Sequence, residues 1–218
     1  MLTALASKLD SLGFRTLIAK TASLVYPDQS FSVDASGNWV NKQDGCTIVS
    51  PTIHTSTYAA LREWVLHHWA YCYTPQAGDI LVDLGTGIGE EAVIFSPMIG
   101  ASGCMYAVEA QPTIFACLQR TVECSGLQNV RAVHCAVADV DGETKISDGP
   151  VHLANSILAG GSITVPQRSL DSLVREWGLE RIDFLRLNIE GAERLAIQGM
   201  TDAIQKVRSV AISCHDFC

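Results

Sequence analysis

The sequence predicts an α/β chain: a doubly wound, mostly parallel sheet preceded by an N-terminal helical and β cap. Three observations predict it. From Gly78 onward, apolar strand-like runs alternate with helix-like runs, the pattern of a parallel sheet covered on both faces. Ile80-Leu-Val-Asp-Leu-Gly-Thr-Gly-Ile-Gly89 ends an apolar run in an acidic residue and then places three glycines at every second position. A second apolar run, Cys104-Met-Tyr-Ala-Val-Glu109, ends in a carboxylate 20 residues beyond Gly89. Strand, glycine turn and helix start together describe a nucleotide-type site at the carboxyl edge of a sheet.

The first third, residues 1–77, reads as an N-terminal segment and cap over one end of the sheet. Residues 1–26 carry Leu2, Leu5, Leu9 and Leu12 on one helical face, broken by Lys8, Asp10, Arg15 and Lys20, and predict one or two helices docked on their own domain. No apolar stretch of signal-peptide or membrane-span length occurs. Pro27-Asp28 and Ser36-Gly37-Asn38 are turn signals around short strands at Phe31–Val33 and Trp39–Asn41, and Cys46–Val49 suggests another. A long helix is expected from Thr57 to Tyr73, with Leu61, Trp64, Val65, Trp69 and Cys72 at apolar positions and Pro75 and Gly78 ending it.

Residues 78–218 form the expected sheet domain. Strand Ile80–Leu84 leads to a helix from Glu90 to Met98. Strand Met105–Glu109 leads to a helix from Pro112 to Ser125, its proline suited to a first turn. A strand from Val130 to Val137 follows, then a turn at Asp141-Gly142 and a small hairpin to about Ser147. Residues 148–166, rich in Gly and Ser, are expected to be a long functional loop. Then come a helix over 169–177, a strand over 182–187, a helix over 192–206 and a fifth strand over 207–214, left as an exposed edge.

Composition narrows the function classes. A length of 218 residues with 48% hydrophobic content supports one domain with an appendage. A formal net charge of −8 argues against a nucleic-acid backbone as partner, because phosphates require a basic face. Eight cysteines, at 46, 72, 104, 117, 124, 135, 214 and 218, show no C-x-x-C or metal-ligand spacing, and read as free thiols in a reducing cytoplasmic compartment.

The glycine spacing helps choose the ligand. A dinucleotide fingerprint would put its third glycine at position 90, which is glutamate here, and a pyrophosphate there would meet negative charge. The pattern Asp83-x-Gly85-x-Gly87-x-Gly89 instead resembles motif I of class I S-adenosylmethionine methyltransferases, whose ligand carries a cationic sulfonium and no phosphate. A carboxylate at Glu109 suits the ribose hydroxyls of that ligand and of NAD equally.

With the fourth core strand included, the stretch from Gly78 to Asp216 resembles the FkbM family of these enzymes. The resemblance rests on Val82-Asp-Leu-Gly-Thr-Gly-Ile-Gly89, Ala107-Val-Glu-Ala-Gln-Pro112, Ser169-Leu-Asp-Ser-Leu173, Ile182-Asp-Phe-Leu-Arg-Leu-Asn-Ile-Glu-Gly-Ala-Glu193 and Ile212-Ser-Cys-His-Asp216. Where the family typically has Lys and Asp in the fourth-strand segment, this chain has Arg186 and Asn188. The resemblance implies O-methylation of a hydroxyl on a small molecule such as a secondary metabolite, sugar or glycolipid. The methyl donor would be S-adenosyl-L-methionine and the product S-adenosyl-L-homocysteine. It implies that Asp83, Gly85, Thr86, Gly87 and Gly89 shape the methionine and ribose side of the pocket. Glu109, with Ala110, would hold the ribose, the third strand end at Cys135, Ala136 and Val137 would line the adenine, and Asn188 and Glu190 would sit where the donor's amino group meets the acceptor. The sheet of that class has seven strands and only five can be placed, so either the native protein continues beyond Cys218, which is the favoured expectation, or N-terminal strands or a partner chain cover the exposed edge.

The expected catalytic residues are His215, Asn188 and Glu190. His215 lies just past the fifth strand, on the same edge as Asn188, and a neutral imidazole there accepts a hydroxyl proton near neutral pH. Glu190 and Glu193, three apart on one helical face, could hold a divalent cation with His215 and Asp216. Asn188 in place of Asp weakens that idea, the helix dipole accounts for both glutamates, and no metal is assigned. His54 reaches the pocket if residues 51–57 form a lid, whereas the adjacent His67 and His68 face different directions. Trp39 and Trp64 read as packing residues. Two alternatives stay open. An NAD(P)-dependent oxidoreductase is disfavoured by Glu90 and the lack of a Tyr-x-x-x-Lys pair. A non-catalytic S-adenosylmethionine-binding protein is motivated by Asn188 and the unplaced strands. Self-association through the N-terminal helix or the exposed sheet edge also stays open.

Overall fold

The computed structural model describes residues 13–147, 157 and 161–214. It begins with helix α1 (Arg15–Val25), followed by an antiparallel sheet of β1 (Gln29–Val33), β2 (Trp39–Gln43) and β3 (Cys46–Ser50). Ile18, Ala19 and Ala22 form the inward face of α1 and pack on Phe31 and Trp39. The β1–β2 turn closes on Asp34, whose carboxylate accepts from the Ser36 and Asn38 N–H groups, both at 2.9 Å.

Helix α2 (Tyr58–His68) is capped by Thr57, which accepts from the Ala60 N–H at 3.2 Å. It stops five residues short of the expected end at Tyr73. The cause is a tie below the helix: Tyr73 donates to Asp79 and stacks on Phe184 with ring centroids 4.5 Å apart, which draws the chain out of helical register.

The main sheet and its helices follow. In chain order they are β4 (Ile80–Leu84), α3 (Glu90–Ile99), β5 (Cys104–Glu109), α4 (Pro112–Cys124) and β6 (Val130–His134). Next come β7 (Ala136–Val137), β8 (Gly142–Ile146), β9 (Ile163–Arg168), α5 (Leu170–Glu176), β10 (Phe184–Leu187), α6 (Glu193–Gln198) and β11 (Val210–Ile212). Five strands form a parallel sheet in the order β11-β10-β4-β5-β6, and β7-β9-β8 form a small second sheet. This is the α/β, doubly wound architecture that the alternating pattern predicts. One face of the parallel sheet (Leu81, Met105, Phe184) packs under α3 and α4. The other (Val82, Val108, Leu185, Leu187) packs on α5 and α6.

Several boundaries differ from the sequence-based expectation, each for a visible reason. The N-terminal sheet packs on the outer side of α4, and Val49, Leu61 and Val65 join the core of α3 and α4. The first third therefore covers helices rather than one end of the sheet, and it is the segment around His54 that meets the start of α3. The strand expected over 130–137 is split, because β7 leaves β6 to pair with β9. β9 itself lies where a loop is expected. Its glycine-rich approach and Pro166 conceal it in sequence, yet Pro166 falls beyond the two residues that β7 pairs, where a missing N–H is tolerated. Residues 148–156 and 158–160 of that expected loop lie outside the described residues. The helix expected over 192–206 is broken at Gly199, whose backbone passes so close to β7's exit that a Cβ would stand 2.1 Å from the Ala138 carbonyl oxygen. A 3-10 turn (Ala203–Lys206) restarts it, with Asp171 accepting from the Asp202 and Ala203 N–H groups at 3.0 and 2.7 Å.

Seven cysteines fall among the described residues and all are free thiols. No helix among the described residues is long and apolar enough to cross a membrane. The Gly199 contact is backbone against methyl, so Gly199→Ala should lower stability by about 1–3 kcal/mol. Urea unfolding of the two proteins side by side measures it.

Candidate functional site

The candidate site lies where the carboxyl ends of β4, β5 and β10 meet. β4 delivers the chain into the glycine turn, which is pinned to the neighbouring strand: the Gly85 and Thr86 N–H groups donate to the Val108 carbonyl at 2.9 and 3.0 Å. Thr86 Oγ1 donates back to the Asp83 carbonyl at 3.0 Å. The three glycines are required for three different reasons. Gly85 has φ +81°, and a Cβ on it would stand 2.0 Å from the Asn188 carbonyl oxygen, so the exit of β10 is what excludes a side chain there. Gly89 has φ +96°, opens α3, and packs on Leu118 and Thr121. At Gly87, with φ +62°, no atom lies within 4 Å of a Cβ. That position faces the open cleft, and it is the one glycine whose missing side chain leaves room for a ligand.

Glu109 closes β5 beside this turn. Its Oε2 accepts from the Gly87 N–H at 3.0 Å and its Oε1 from the Gln111 N–H at 2.8 Å. Backbone amides, with that of Ala110 also bearing on the carboxylate, thus fix it in one orientation. Burial pushes its pKa up, against the opposing pull of the Gln111 and Gly87 amides. Gln111 in turn caps α4, accepting from the Ile114 N–H at 2.8 Å, which holds the strand end and the helix start together.

The cleft encloses about 670 Å³, including its solvent-open mouth. Of the site residues expected from sequence, Gly85, Gly87, Glu109, Ala110, Cys135, Ala136, Asn188 and Glu190 line it. Asp83, Thr86 and Gly89 are not lining residues; they stand behind the turn. Val137 lines it too, at the end of the stretch expected to meet the adenine, whereas the apolar walls formed by Val108, Ile114, Ile146, Ile157 and Ile189 were not singled out from sequence. Ile114 could have been found, since it follows the Gln111 cap on the inner face of α4. Ile146 and Ile157 could not, because β8 and its approach carry no site signature.

Other candidates fall elsewhere. His215 and Asp216 lie outside the described residues. Glu190 has φ +53° and sits in the turn before α6, so it does not share a helical face with Glu193. Glu193 is buried and turns back to accept from the Ile189 N–H at 3.1 Å. Among the described residues no group of three or more His, Cys, Asp or Glu could hold a metal ion. His54 is not a lining residue; its Nε2 meets Glu90 Oε1 at 2.6 Å. Trp39 is buried, as expected of packing, whereas Trp64 is 44% exposed and stacks on His68.

Asp83 is engaged from behind. Its Oδ1 pairs with Arg186 Nη1 at 2.7 Å, and Arg186 Nη2 pairs with Glu91 Oε1 at 2.9 Å. All three side chains are buried. Burial pushes the Glu91 carboxyl up, opposed by the Arg186 charge.

The sequence model of the methyltransferase FkbM domain matches residues 83–217, well over half of the chain. The chain belongs to this family. Hexuronic acid methyltransferase AglP of Haloferax volcanii is 26% identical over 141 residues, covering 63% of this chain and 56% of that protein. The AMB antimetabolite synthetase AmbE of Pseudomonas aeruginosa is 42% identical over 50 residues, 22% of this chain and 2% of that protein. The chain thus spans just over half of the first relative and a small part of the second. Among solved structures, a methyltransferase FkbM from Methylobacillus flagellatus superposes with a TM-score of 0.45 at 18% identity, over 62% of this chain and 32% of that one. A SAM-dependent methyltransferase from Aquifex aeolicus gives 0.40 at 14% identity, over 72% of each chain.

The residues of this FkbM-family cleft fit S-adenosyl-L-methionine. An oriented carboxylate stands at the floor, the space at Gly87 is open, and the lining includes two acids and no base among the described residues. A cationic ligand is favoured by that charge, and a pyrophosphate is not. The glycine roles are separable by mutation. Gly85→Ala, in the left-handed region and against backbone, should cost about 3 kcal/mol of stability. Gly87→Ala should cost about 1–2 kcal/mol and instead abolish detectable ligand binding, because its methyl enters the cleft. Thermal unfolding and calorimetry with S-adenosyl-L-homocysteine read the two effects apart.

Proposed function

We propose that the chain transfers a methyl group from S-adenosyl-L-methionine to a hydroxyl oxygen of a small molecule. The observation that carries this reading is the Glu109 carboxylate, held by the Gly87 and Gln111 amides at the floor of a cleft that is otherwise apolar and acidic. When bound, the donor supplies a methyl group on a positively charged sulfur, already activated for in-line displacement. The Glu109 carboxylate accepts from the ribose hydroxyls. Ile114, Cys135 and Val137 offer an apolar slot for a flat base. Glu190 and Asn188 stand at the glycine-turn end, the side proposed for the donor's amino group and the acceptor.

An enzyme of this kind aligns a nucleophile and takes its proton. The Asn188 amide can orient a hydroxyl but cannot accept its proton at neutral pH. We assign that step to His215. β11 runs parallel to β10, with Ile212 opposite Leu187, and the Ser213 N–H donates to the Leu187 carbonyl at 2.9 Å. The chain therefore leaves β11 on the same edge from which Asn188 leaves β10, and His215 follows Ser213 by two positions.

Acceptors are sought first among uronic acid glycosides, since one relative is named a hexuronic acid methyltransferase. Simple glycosides and polyols come next. Incubation with methyl-labelled S-adenosyl-L-methionine should place label in an alkali-stable ether. Label released by mild alkali would mean a methyl ester and overturn the hydroxyl reading. NAD binding without any response to S-adenosyl-L-homocysteine would overturn the donor itself. Glu109→Ala should weaken S-adenosyl-L-homocysteine binding by about 1–3 kcal/mol. Because the Glu109 pKa is raised, wild-type affinity should begin to fall on acidification above the usual carboxylate range, and the alanine variant should lack that dependence. Calorimetric titration across pH checks both.

A further inference from the structure

The Arg186 guanidinium engages four parts of the chain at once. Nη1 donates to Asp83 Oδ1 at 2.7 Å and to the Gly85 carbonyl at 3.2 Å. Nη2 pairs with Glu91 Oε1 at 2.9 Å, in the first turn of α3. The guanidinium carbon lies 4.0 Å from the centre of the Trp69 ring, just past α2. One buried cation thus ties the strand before the glycine turn, the turn itself and the helix after it. It does so without lining the cleft. Asn188, two residues further along, closes the turn from the other side with its carbonyl.

Stability alone gives a poor account of this cluster. One guanidinium faces two carboxylates, and Asp83 Oδ2, Arg186 Nε and Trp69 Nε1 are buried with no hydrogen-bond partner among the described residues. Buried ion clusters are often no more stable than apolar groups of the same volume, and unsatisfied polar atoms subtract further. What the cluster does supply is direction. A planar fork fixes two acceptors and a stacked ring simultaneously, which the point charge of a lysine does not.

We propose that Arg186 is a positioning residue that sets the conformation of the turn over 85–89, and through it the seat of the methyl donor. This rests on the donor-binding reading above. The decisive variant is the triple substitution Arg186→Met, Asp83→Asn, Glu91→Gln, which removes every charge of the cluster at similar volume and strands no carboxylate. Three measurements are made on the full chain: urea unfolding, hydrogen exchange of the amides at 85–89, and calorimetry with S-adenosyl-L-homocysteine. The triple variant should unfold near the wild-type midpoint, yet its turn amides should exchange at least about tenfold faster. Its ligand affinity should fall by about tenfold or more, as expected when a binding group is misplaced by a fraction of an ångström. Arg186→Lys should fail to restore either property, and it carries the same two readings if the triple variant does not fold. Turn amides that exchange at the wild-type rate in these variants would overturn the proposal, as would a lysine variant that matches wild type in both readings. If exchange accelerates as expected while the wild type binds no S-adenosyl-L-homocysteine, the turn-setting role stands and the donor reading falls.

Discussion

The site depends on how closely the exit of β10 approaches the glycine turn after β4. The two strands pair in parallel, Arg186 opposite Asp83 and Leu187 opposite Leu84. That register brings the Asn188 carbonyl to where a side chain on Gly85 would be, and it carries the Arg186 side chain under the turn. A one-residue slip of β10 would send Arg186 to the α5 and α6 face, beside Val82 and Leu84. The cleft is therefore defined less by the residues that line it than by the strand pairing behind them.

Around that pairing the rest of the molecule acts as support. β5 contributes the second anchor, since Val108 accepts from the turn and Glu109 accepts from Gly87. The Gln111 cap carries that anchor into α4, and the N-terminal sheet braces α4 from outside. β3 is the edge of its own sheet, and hydroxyls of α4 and its C-cap satisfy its outward N–H groups: Thr121 at Val49 and Ser125 at Thr47. An edge strand that would otherwise be open is closed by helix side chains.

Much of this was legible in the sequence, because the strongest signals are local. The five core strands, α3, α4 and the glycine turn follow from apolar periodicity and from glycine and proline punctuation, and Glu109 from its distance to the turn. The misreadings share a different origin. The end of α2 is decided by Tyr73 meeting Asp79 and Phe184, the break after α6 by Gly199 meeting Ala138, and β9 by a partner strand about 20 residues away. Apart from the six-residue step from Tyr73 to Asp79, these are tertiary contacts, which no local window contains. Gly85 is the most instructive case: its sequence signature is read correctly, but the atom that demands glycine belongs to a strand 103 residues later.

The junction between β3 and α4 also bears on the order in which the chain acquires its structure. The bonds from Thr47 and Val49 reach partners 78 and 72 residues onward. The first third emerges from the ribosome long before the helix that seals it, so Ile48 and Val49, fully buried in the finished protein, spend that interval without a roof. Contacts of such long separation close slowly. Synthesis of this chain thus contains a built-in waiting period, during which a holding chaperone has an apolar strand edge to grip and a competing strand has one to join.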